Sequence, residues 1–242
     1  MKVGYKSDVG KVRDNNEDSL FVDERQGLFI VADGMGGHQG GEVASRMAVE
    51  IVRDFLNDKI LSSDKKEDFY KLLMEAIFAA NESVRLKAEG DINLKGMGTT
   101  IVIALCRNDN LYISHVGDSR AYLIREGNIK QLTEDHSVVA QMVKAGMMTD
   151  EEARRHHLKH ILSQALGTSA YLAPSFQMLN MEEGDYILLC TDGLTDMLND
   201  QEILSSILAC NGEPEKGCEL LVNEANRKGG KDNITVILLY KN

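Results

Sequence analysis

The sequence predicts an α+β fold in which antiparallel β-strands pack against α-helices. Short apolar or β-branched runs alternate with segments in which apolar residues recur every three or four positions, the period of a helix with one buried face. The strand-like runs are joined by connections too short to hold the crossover that parallel strands need. Groups of strands followed by groups of helices are typical of antiparallel sheets covered by helices.

The first predicted elements are a hairpin and two long helices. Residues 19–22 and 28–32 are strand-like and are separated by the turn-forming residues 23–27. A glycine-rich loop follows, and residues 42–56 then place their apolar side chains on one helical face. The same period returns over residues 69–84, so we expect a second amphipathic helix.

The remaining chain returns to strands and then mixes strands with helices. The turn signals Asn108-Asp109-Asn110 and Gly117-Asp118 separate three short strands. The predicted elements are strands over 99–105, 111–116 and 121–124, a helix over 138–145, a strand over 186–190, helices over 201–208 and 218–226, and a strand over 234–239. We expect residues 1–242 to form a single domain, because a chain of this length can bury a sizeable core.

Composition narrows the class of protein. The net charge of −11 disfavours nucleic acid and anionic membranes as partners, because both require a cationic face. The sequence has no run of eighteen apolar residues and no basic-then-apolar leader, so we expect a cytoplasmic protein without a membrane span. Its four cysteines form no CxxC pair, and we expect reduced thiols in the core.

The segment VADGMGGHQGG, residues 31–41, places five glycines around one aspartate and one histidine. Glycine is costly to order, so this density requires unusual backbone angles or the close approach of a ligand. The segment lacks the Lys-Ser or Lys-Thr of a phosphate loop and the spacing of the dinucleotide fingerprint. Two interpretations remain. Asp33 and carbonyl oxygens form a hard-cation site with His38 beside it for proton transfer, or the segment is a plain hairpin turn.

Acidic residues recur at the ends of the predicted strands. They are Asp33 after residues 28–32, Asp118 in VGDSR, Asp192 after 186–190, Asp232 before 234–239, and Glu17 with Asp18 before 19–22. Each alone is ordinary turn chemistry. If sheet pairing brings them together, repulsion would raise their pKa values unless cations neutralise them. Oxygen donors select magnesium, manganese or calcium over zinc.

A histidine pair points to a different metal, and we reject it. His156 and His160 in RRHHLKH have the spacing of two zinc ligands on one helical face. The metalloprotease motif HExxH needs glutamate at the position of His157. We interpret this segment as a solvated, basic surface.

Eight motifs in order resemble the metal-dependent protein phosphatases, the serine/threonine phosphatases of type 2C, in their compact bacterial form. The motifs are RDNNED, VADGMGGHQGGEVAS, GMGTT, VGDSR, LTEDHS, LSQALG, LLCTDGLTD and GGKDNITV, and they run from Arg13 to Val236. The resemblance implies a β-sandwich of two antiparallel sheets flanked by helices on both sides. It also implies two manganese or magnesium ions, whose bridging water or hydroxide hydrolyses phosphoserine and phosphothreonine in proteins.

The resemblance also implies a role for each acidic motif residue. Asp33 would bridge both ions, and Asp192 and Asp232 would hold the first. Glu17 and the Gly34 carbonyl would serve the second ion, mostly through waters.

Three further residues would act on the substrate by the same resemblance. Arg13 would bind phosphate oxygens with its planar guanidinium. Asp18 would orient the attacking water, and His38 would give the leaving serine oxygen its proton.

A weaker third ion would be held by Asp118 and Asp192, as in bacterial relatives. The alternative is that Asp118 only stabilises its turn.

The resemblance places a variable flap over residues 138–161, beside the active site, so that residues 145–160 contact substrate proteins. We therefore expect phosphorylated proteins as partners, a cytoplasmic serine/threonine kinase as the opposing enzyme, and a monomer. The alternative is a pseudophosphatase, a partner-binding module that has lost the chemistry. Such a module should have lost metal carboxylates, whereas Glu17, Asp33, Asp192 and Asp232 are all present.

Overall fold

The computed structural model describes residues 1–36, 40–61 and 66–242, and its strands form two antiparallel sheets. The strands are β1 (Lys2–Asp8), β2 (Asp18–Asp23), β3 (Leu28–Met35), β4 (Gly98–Thr99), β5 (Ile101–Arg107), β6 (Asn110–Val116), β7 (Arg120–Arg125), β8 (Asn128–Gln131), β9 (Ser175–Asn180), β10 (Tyr186–Cys190) and β11 (Ile234–Tyr240). The first sheet has the order β1-β11-β10-β7-β8. The second has the order β2-β3-β5-β6-β9, with β4 paired to β3.

Helices cover the outer face of each sheet. The α-helices are α1 (Gly40–Leu61), α2 (Lys66–Gly90), α3 (Val138–Lys144), α4 (Asp150–Arg155), α5 (Asp192–Thr195), α6 (Asp200–Leu208) and α7 (Pro214–Arg227), and a short 3-10 helix spans Ile92–Leu94. The helices α1 and α2 pack on the second sheet, and α6 and α7 pack on the first. The predicted four-layer α-β-β-α arrangement is therefore observed.

Three apolar clusters hold these layers together, and the two faces of β3 explain why its residues 28–32 are all apolar. Phe29 and Val31 point into the core between the two sheets, together with Ile187 of β10. Leu28 and Ile30 point the other way, into the core under α1 and α2. A strand that is buried on both faces has no solvent-exposed face for alternating polar residues, which explains the continuous apolar run.

Three of the four cysteines lie in the core, as the sequence predicts, and the fourth is half-buried. Cys190, Cys210 and Cys218 are buried in the cluster between the first sheet and its helices. Cys106 is half-buried near the end of β5, with its sulfur 3.8 Å from that of Met181. Within residues 1–36, 40–61 and 66–242, no helix has the length and apolar character needed to cross a membrane.

The segment between β8 and β9 carries α3 and α4 and occupies the predicted flap region. Its two ends meet, because Ser137 and Leu162 form an isolated β-bridge and the Val138 amide donates to the Ile161 carbonyl at 2.8 Å. Ser137 caps α3 by accepting from the Ala140 amide. The flap is thus closed at its base by backbone pairing.

Candidate metal centre

The acidic residues at the strand ends converge at one edge of the sandwich. Asp18 and Asp33 are cross-strand partners in the β2–β3 hairpin. Asp192 is the first residue of α5 and lies two residues after the end of β10, and Asp232 lies two residues before β11. Asp118 lies in the turn between β6 and β7. The sequence places Asp33 after its strand, whereas the structure places it inside β3, which continues to Met35.

The pKa shifts of these carboxylates reflect how close they lie to one another. Desolvation raises the pKa of Asp33 well above its ordinary value, and the negative charges of Asp18, Asp192, Asp118 and Asp232 raise it further. Such mutual repulsion requires that the five groups lie close together.

The pKa values of three further aspartates near Asp33 are raised as well. Desolvation raises the pKa of Asp18 to about 7 and that of Asp192 to about 6. The pKa of Asp118 is also raised, first by desolvation and then by Asp192 and Asp135. For Glu17, desolvation raises the pKa while the nearby Arg13 lowers it. A centre that disfavours its own negative charges in this way suits cations.

A second observation supports a cation at this centre. The Oδ1 atom of Asp18 is buried and accepts no hydrogen bond from the described part of the chain. Its Oδ2 atom, in contrast, accepts from the Thr191 hydroxyl at 2.9 Å, and Thr191 in turn accepts from the Thr235 amide at 3.0 Å. Buried polar atoms normally have partners, so an unpartnered carboxylate oxygen among oxygen-only donors fits a bound Mg²⁺ or Mn²⁺ with its waters.

Glycines allow the strand β3 and the helix α1 to approach Glu17 closely. A Cβ atom on Gly34 would lie 2.0 Å from the Gly41 carbonyl oxygen, and one on Gly41 would lie 2.4 Å from the Glu17 carboxylate. The Gly34 amide and the Ser45 hydroxyl both donate to the Glu17 carbonyl, at 3.1 and 2.6 Å. The two glycines therefore make room for a crowded carboxylate, as the cation interpretation of this segment requires.

The GMGTT motif fixes the backbone of Asp33. The Asp33 amide donates to the Thr100 hydroxyl at 2.9 Å. The Thr100 amide and the Thr99 hydroxyl donate to the Asp33 carbonyl at 2.9 and 2.8 Å. Thr100 is also hydrogen-bonded to the Ser119 hydroxyl of the VGDSR turn at 2.7 Å. These threonines position Asp33 through its backbone amide and carbonyl.

Asn233 has a positioning role that the sequence analysis missed. Its Oδ1 accepts from the Glu17 amide at 2.8 Å, and its Nδ2 donates to the carbonyls of Val9 and Asn15 at 3.0 and 2.9 Å. It therefore fixes the loop that carries Arg13 and Glu17. The sequence feature that could have indicated this role is the amide side chain directly beside Asp232 in KDNIT. A buried asparagine must find partners for all its polar atoms, so it fixes the groups around it.

Arg13 lies at the mouth of the centre. Its Nη2 is 2.7 Å from Asp232 Oδ2, and the two side chains are 54% and 37% exposed. The guanidinium thus neutralises one of the predicted metal ligands in the metal-free chain and remains accessible to solvent. His38, the predicted proton donor, lies outside the described residues.

A cleft of about 690 Å³ extends from Asp118 and Asp192 between the flap and the helices α5 and α6. Lys159 of the flap is 2.9 Å from Asp196 across this cleft. His160 Nδ1 lies 4.0 Å from Asp192 Oδ2 and 3.9 Å from Asp196 Oδ2. His160 is exposed, as expected for a solvated segment, and it also faces the candidate centre. The helix α4 ends at Arg155, so His156 and His160 do not share a helical face.

The fold and the centre together define a class of protein. An α-β-β-α sandwich with an oxygen-only carboxylate cluster at its strand ends, next to an exposed arginine, is the architecture of the metal-dependent protein phosphatases. The family model of protein phosphatase 2C matches residues 11–216. The chain belongs to the protein phosphatase 2C family.

Curated relatives and solved structures agree with this assignment. The chain is 37% identical to the serine/threonine phosphatase stp of Listeria monocytogenes over 246 residues, covering 100% of this chain and 96% of that protein. It is 38% identical to the protein phosphatase PhpP of Streptococcus pneumoniae, covering 100% and 98%.

The structure of the S. agalactiae serine/threonine phosphatase superposes with a TM-score of 0.91 at 35% identity, over 100% of this chain and 99% of that one. The catalytic domain of the phosphatase PstP in complex with two manganese ions gives a TM-score of 0.86 at 35% identity, over 98% and 96%. The predicted family, fold class and enzyme class are thereby confirmed.

Proposed function

We propose that this chain hydrolyses phosphoserine and phosphothreonine in proteins at the carboxylate centre, with Mn²⁺ or Mg²⁺ as cofactor. The observation that carries the proposal is the convergence of Asp18, Asp33, Asp118, Asp192 and Asp232, which raises the pKa of Asp33. The two manganese ions of the PstP complex support the same cofactor here. A partner-binding module without chemistry would have no use for a cluster that costs stability when it is empty.

The predicted ligands would hold the ions at this centre. Asp33 would contribute to both ions, Asp192 and Asp232 would hold the first, and Glu17 with the Gly34 carbonyl would serve the second. When bound, the ions lower the pKa of water from about 15.7 toward 7 and neutralise charge that develops on the phosphoryl oxygens.

The chain's own side chains supply the remaining steps. Arg13 binds phosphate oxygens and orients the phosphate ester. Its guanidinium is exposed at the edge of the metal centre and offers two donors in one plane. Asp18 accepts a hydrogen bond from the attacking water with its unpartnered Oδ1. His38 gives a proton to the departing serine or threonine oxygen.

Asp118 has a separate proposed role. We infer that Asp118 and Asp192 would hold a weaker third ion at the entrance to the cleft, since both line that cleft and the charge of Asp192 raises the pKa of Asp118. Two carboxylates leave most of an octahedral shell to water, which favours fast exchange over tight retention.

Phosphorylated proteins are the proposed partners of this centre. The family assignment supports a protein substrate, and the cleft beside Asp192 is large enough for the residues that flank a phosphorylated side chain. A cytoplasmic serine/threonine kinase would supply those substrates, and the flap over residues 138–161 would contact them. We propose a monomer.

Phosphate release from a phosphothreonine peptide, measured with manganese and with excess chelator, tests the proposed function. We expect turnover only with the ion and none for Asp33→Asn. The matched control is Asp54→Asn, which changes an exposed aspartate on α1 that pairs with its neighbour Arg53. Undiminished turnover of Asp33→Asn at saturating manganese would overturn the proposal.

A further inference from the structure

His136, from the LTEDHS motif, binds the backbone of the Gly117–Asp118 turn twice. Its amide donates to the Gly117 carbonyl at 2.9 Å. The Gly117 amide donates to His136 Nδ1 at 3.3 Å. Both backbone groups of the residue that precedes Asp118 are therefore satisfied by one histidine, whose side chain stands in for a backbone carbonyl.

The imidazole is fixed in one orientation and one tautomer. Because Nδ1 accepts from an amide, the ring proton resides on Nε2, which lies 2.9 Å from the Ser175 hydroxyl. The ring also stacks on His115, with centroids 4.7 Å apart and planes 17° apart. His115 is itself fixed by a 2.8 Å contact between its Nε2 and the Glu134 carbonyl. Desolvation, and then His115, lowers the pKa of His136 to about 4, so the ring stays neutral at physiological pH.

The opposite side of the turn is equally constrained. Gly117 has φ of +100°, and a Cβ atom there would lie 2.6 Å from Thr100 Cγ2. Ser119, two residues later, is hydrogen-bonded to Thr100 at 2.7 Å. The turn is thus held between Thr100 on one side and His136 on the other, and a change at either side would displace Asp118.

The main chain of His136 belongs to the base of the flap. Its carbonyl accepts from the Ser163 amide at 2.8 Å, next to the bridge between Ser137 and Leu162. The residue that fixes the Asp118 turn is therefore also the residue at which the flap leaves the sandwich.

We propose that His136 is a positioning residue for Asp118 and couples the base of the flap to that carboxylate. It makes no contact with the reacting atoms in this role and acts only by holding the Gly117–Asp118 backbone. The proposal rests on the proposed role of Asp118 at the third ion, but its structural part can be tested without that role.

Two substitutions separate the two ring nitrogens. In His136→Asn the side-chain oxygen takes the place of Nδ1 and can still accept from the Gly117 amide. In His136→Gln the polar end takes the place of Nε2 and retains only the contact to Ser175. We expect His136→Gln to lower kcat on the order of 10- to 100-fold, the usual effect of losing a residue that orients a metal ligand, and His136→Asn to retain most of it.

Amide hydrogen exchange at Gly117 in the metal-free protein gives a readout independent of activity. Exchange should accelerate in His136→Gln and stay slow in His136→Asn. The ring ¹⁵N shifts of the unsubstituted protein should show the proton on Nε2. Equal Gly117 exchange in the two folded variants would overturn the proposal. A proton on Nδ1 of the unsubstituted protein would overturn it whether or not the variants fold.

A double variant tests whether His136 acts through Asp118. If it does, His136→Gln combined with Asp118→Asn should turn over no more slowly than Asp118→Asn alone, because the positioned group is already lost. Multiplicative losses would overturn the proposal. A fully active Asp118→Asn would instead overturn the third-ion role of Asp118, while Gly117 exchange would still decide whether His136 holds the turn.

Discussion

At the scale of single residues, Asp33 stabilises the active centre only when a cation is present. In the metal-free chain its carboxylate is desolvated and repelled by four other aspartates. We therefore expect Asp33→Asn to raise the thermal midpoint of the chelator-treated protein while it abolishes turnover. Differential scanning calorimetry in chelator measures this, with Asp54→Asn as the control that should leave the midpoint unchanged. A lowered midpoint for Asp33→Asn would show that the repulsion does not govern stability here.

Arg13 separates substrate binding from chemistry. Its guanidinium is half exposed, so its contact with phosphate is worth the lower end of the range for hydrogen bonds to charged groups, about 1.5 kcal/mol. We expect Arg13→Ala to raise KM for a phosphothreonine peptide by about tenfold and to change kcat little. Arg13→Lys should recover only part of this loss, because an ammonium cannot bind two oxygens in one plane. Steady-state kinetics that show a loss confined to kcat would contradict this role.

Only part of the site could be predicted from single residues. The carboxylates were found because chemistry limits which residue types hold hard cations, and all lie beside apolar runs. Asn233 and Thr100 were missed because they act on backbone groups of Glu17 and Asp33, far away in the sequence. Their partners are known only when the sheets are paired. The pairing of Arg13 with Asp232 is of the same kind.

At the scale of elements, the junction between β3 and α1 depends on two adjacent glycines with different surroundings. A Cβ atom on Gly41 would lie 2.4 Å from Glu17 Oε2, whereas for one on Gly40 the nearest atom among the described residues would be Met97 Cβ, at 3.2 Å. We expect Gly41→Ala to displace the Glu17 carboxylate and to weaken manganese binding, and Gly40→Ala to be the milder change. Isothermal titration with manganese compares the two variants. Equal affinities would show that Glu17 does not depend on this junction.

Strands at the centre of each sheet were predictable, and most strands at the edges were not. The predicted segments match β3, β5, β6, β7, β10 and β11 within a few residues. The missed strands β1, β8 and β9 are all sheet edges. An edge strand has neighbours on one side only and keeps polar, exposed positions, so its sequence lacks the continuous apolar run of a strand buried on both faces. The strand β2 was found despite its edge position, because its hairpin turn is visible in the sequence.

At the scale of the whole molecule, the raised pKa values of the centre make the metal-free protein sensitive to pH. A carboxyl whose folded pKa lies above its unfolded value contributes stability below the unfolded pKa, and this is lost as pH rises through the folded pKa. The pKa of Asp192 is about 6 and that of Asp18 about 7. In chelator we therefore expect the free energy of unfolding to fall between about pH 4, the unfolded pKa of these carboxyls, and about pH 7, the higher of their folded pKa values.

Manganese supplies the control for this pH profile. Ions bound to the folded state stabilise it by mass action, by about 4 kcal/mol per site at a thousand times the dissociation constant. They also replace protons as the neutralising charges, so the slope with pH should reverse or vanish in excess manganese. Urea titrations at several pH values measure both conditions. Stability that rises with pH in chelator would contradict the raised pKa values.

The buried cysteines give this enzyme a chemical character unlike that of phosphatases with a thiol nucleophile. Burial raises the pKa of the Cys190 and Cys218 thiols to about 12, so little thiolate is present at neutral pH. Peroxide and alkylating reagents react with cysteine through the thiolate and need access to it, so Cys190 and Cys218 should resist both in the native chain. The same thiols become reactive when the sandwich opens around them. Their labelling rate therefore measures how often the fold opens. The measurement needs no substrate, no metal and no active enzyme.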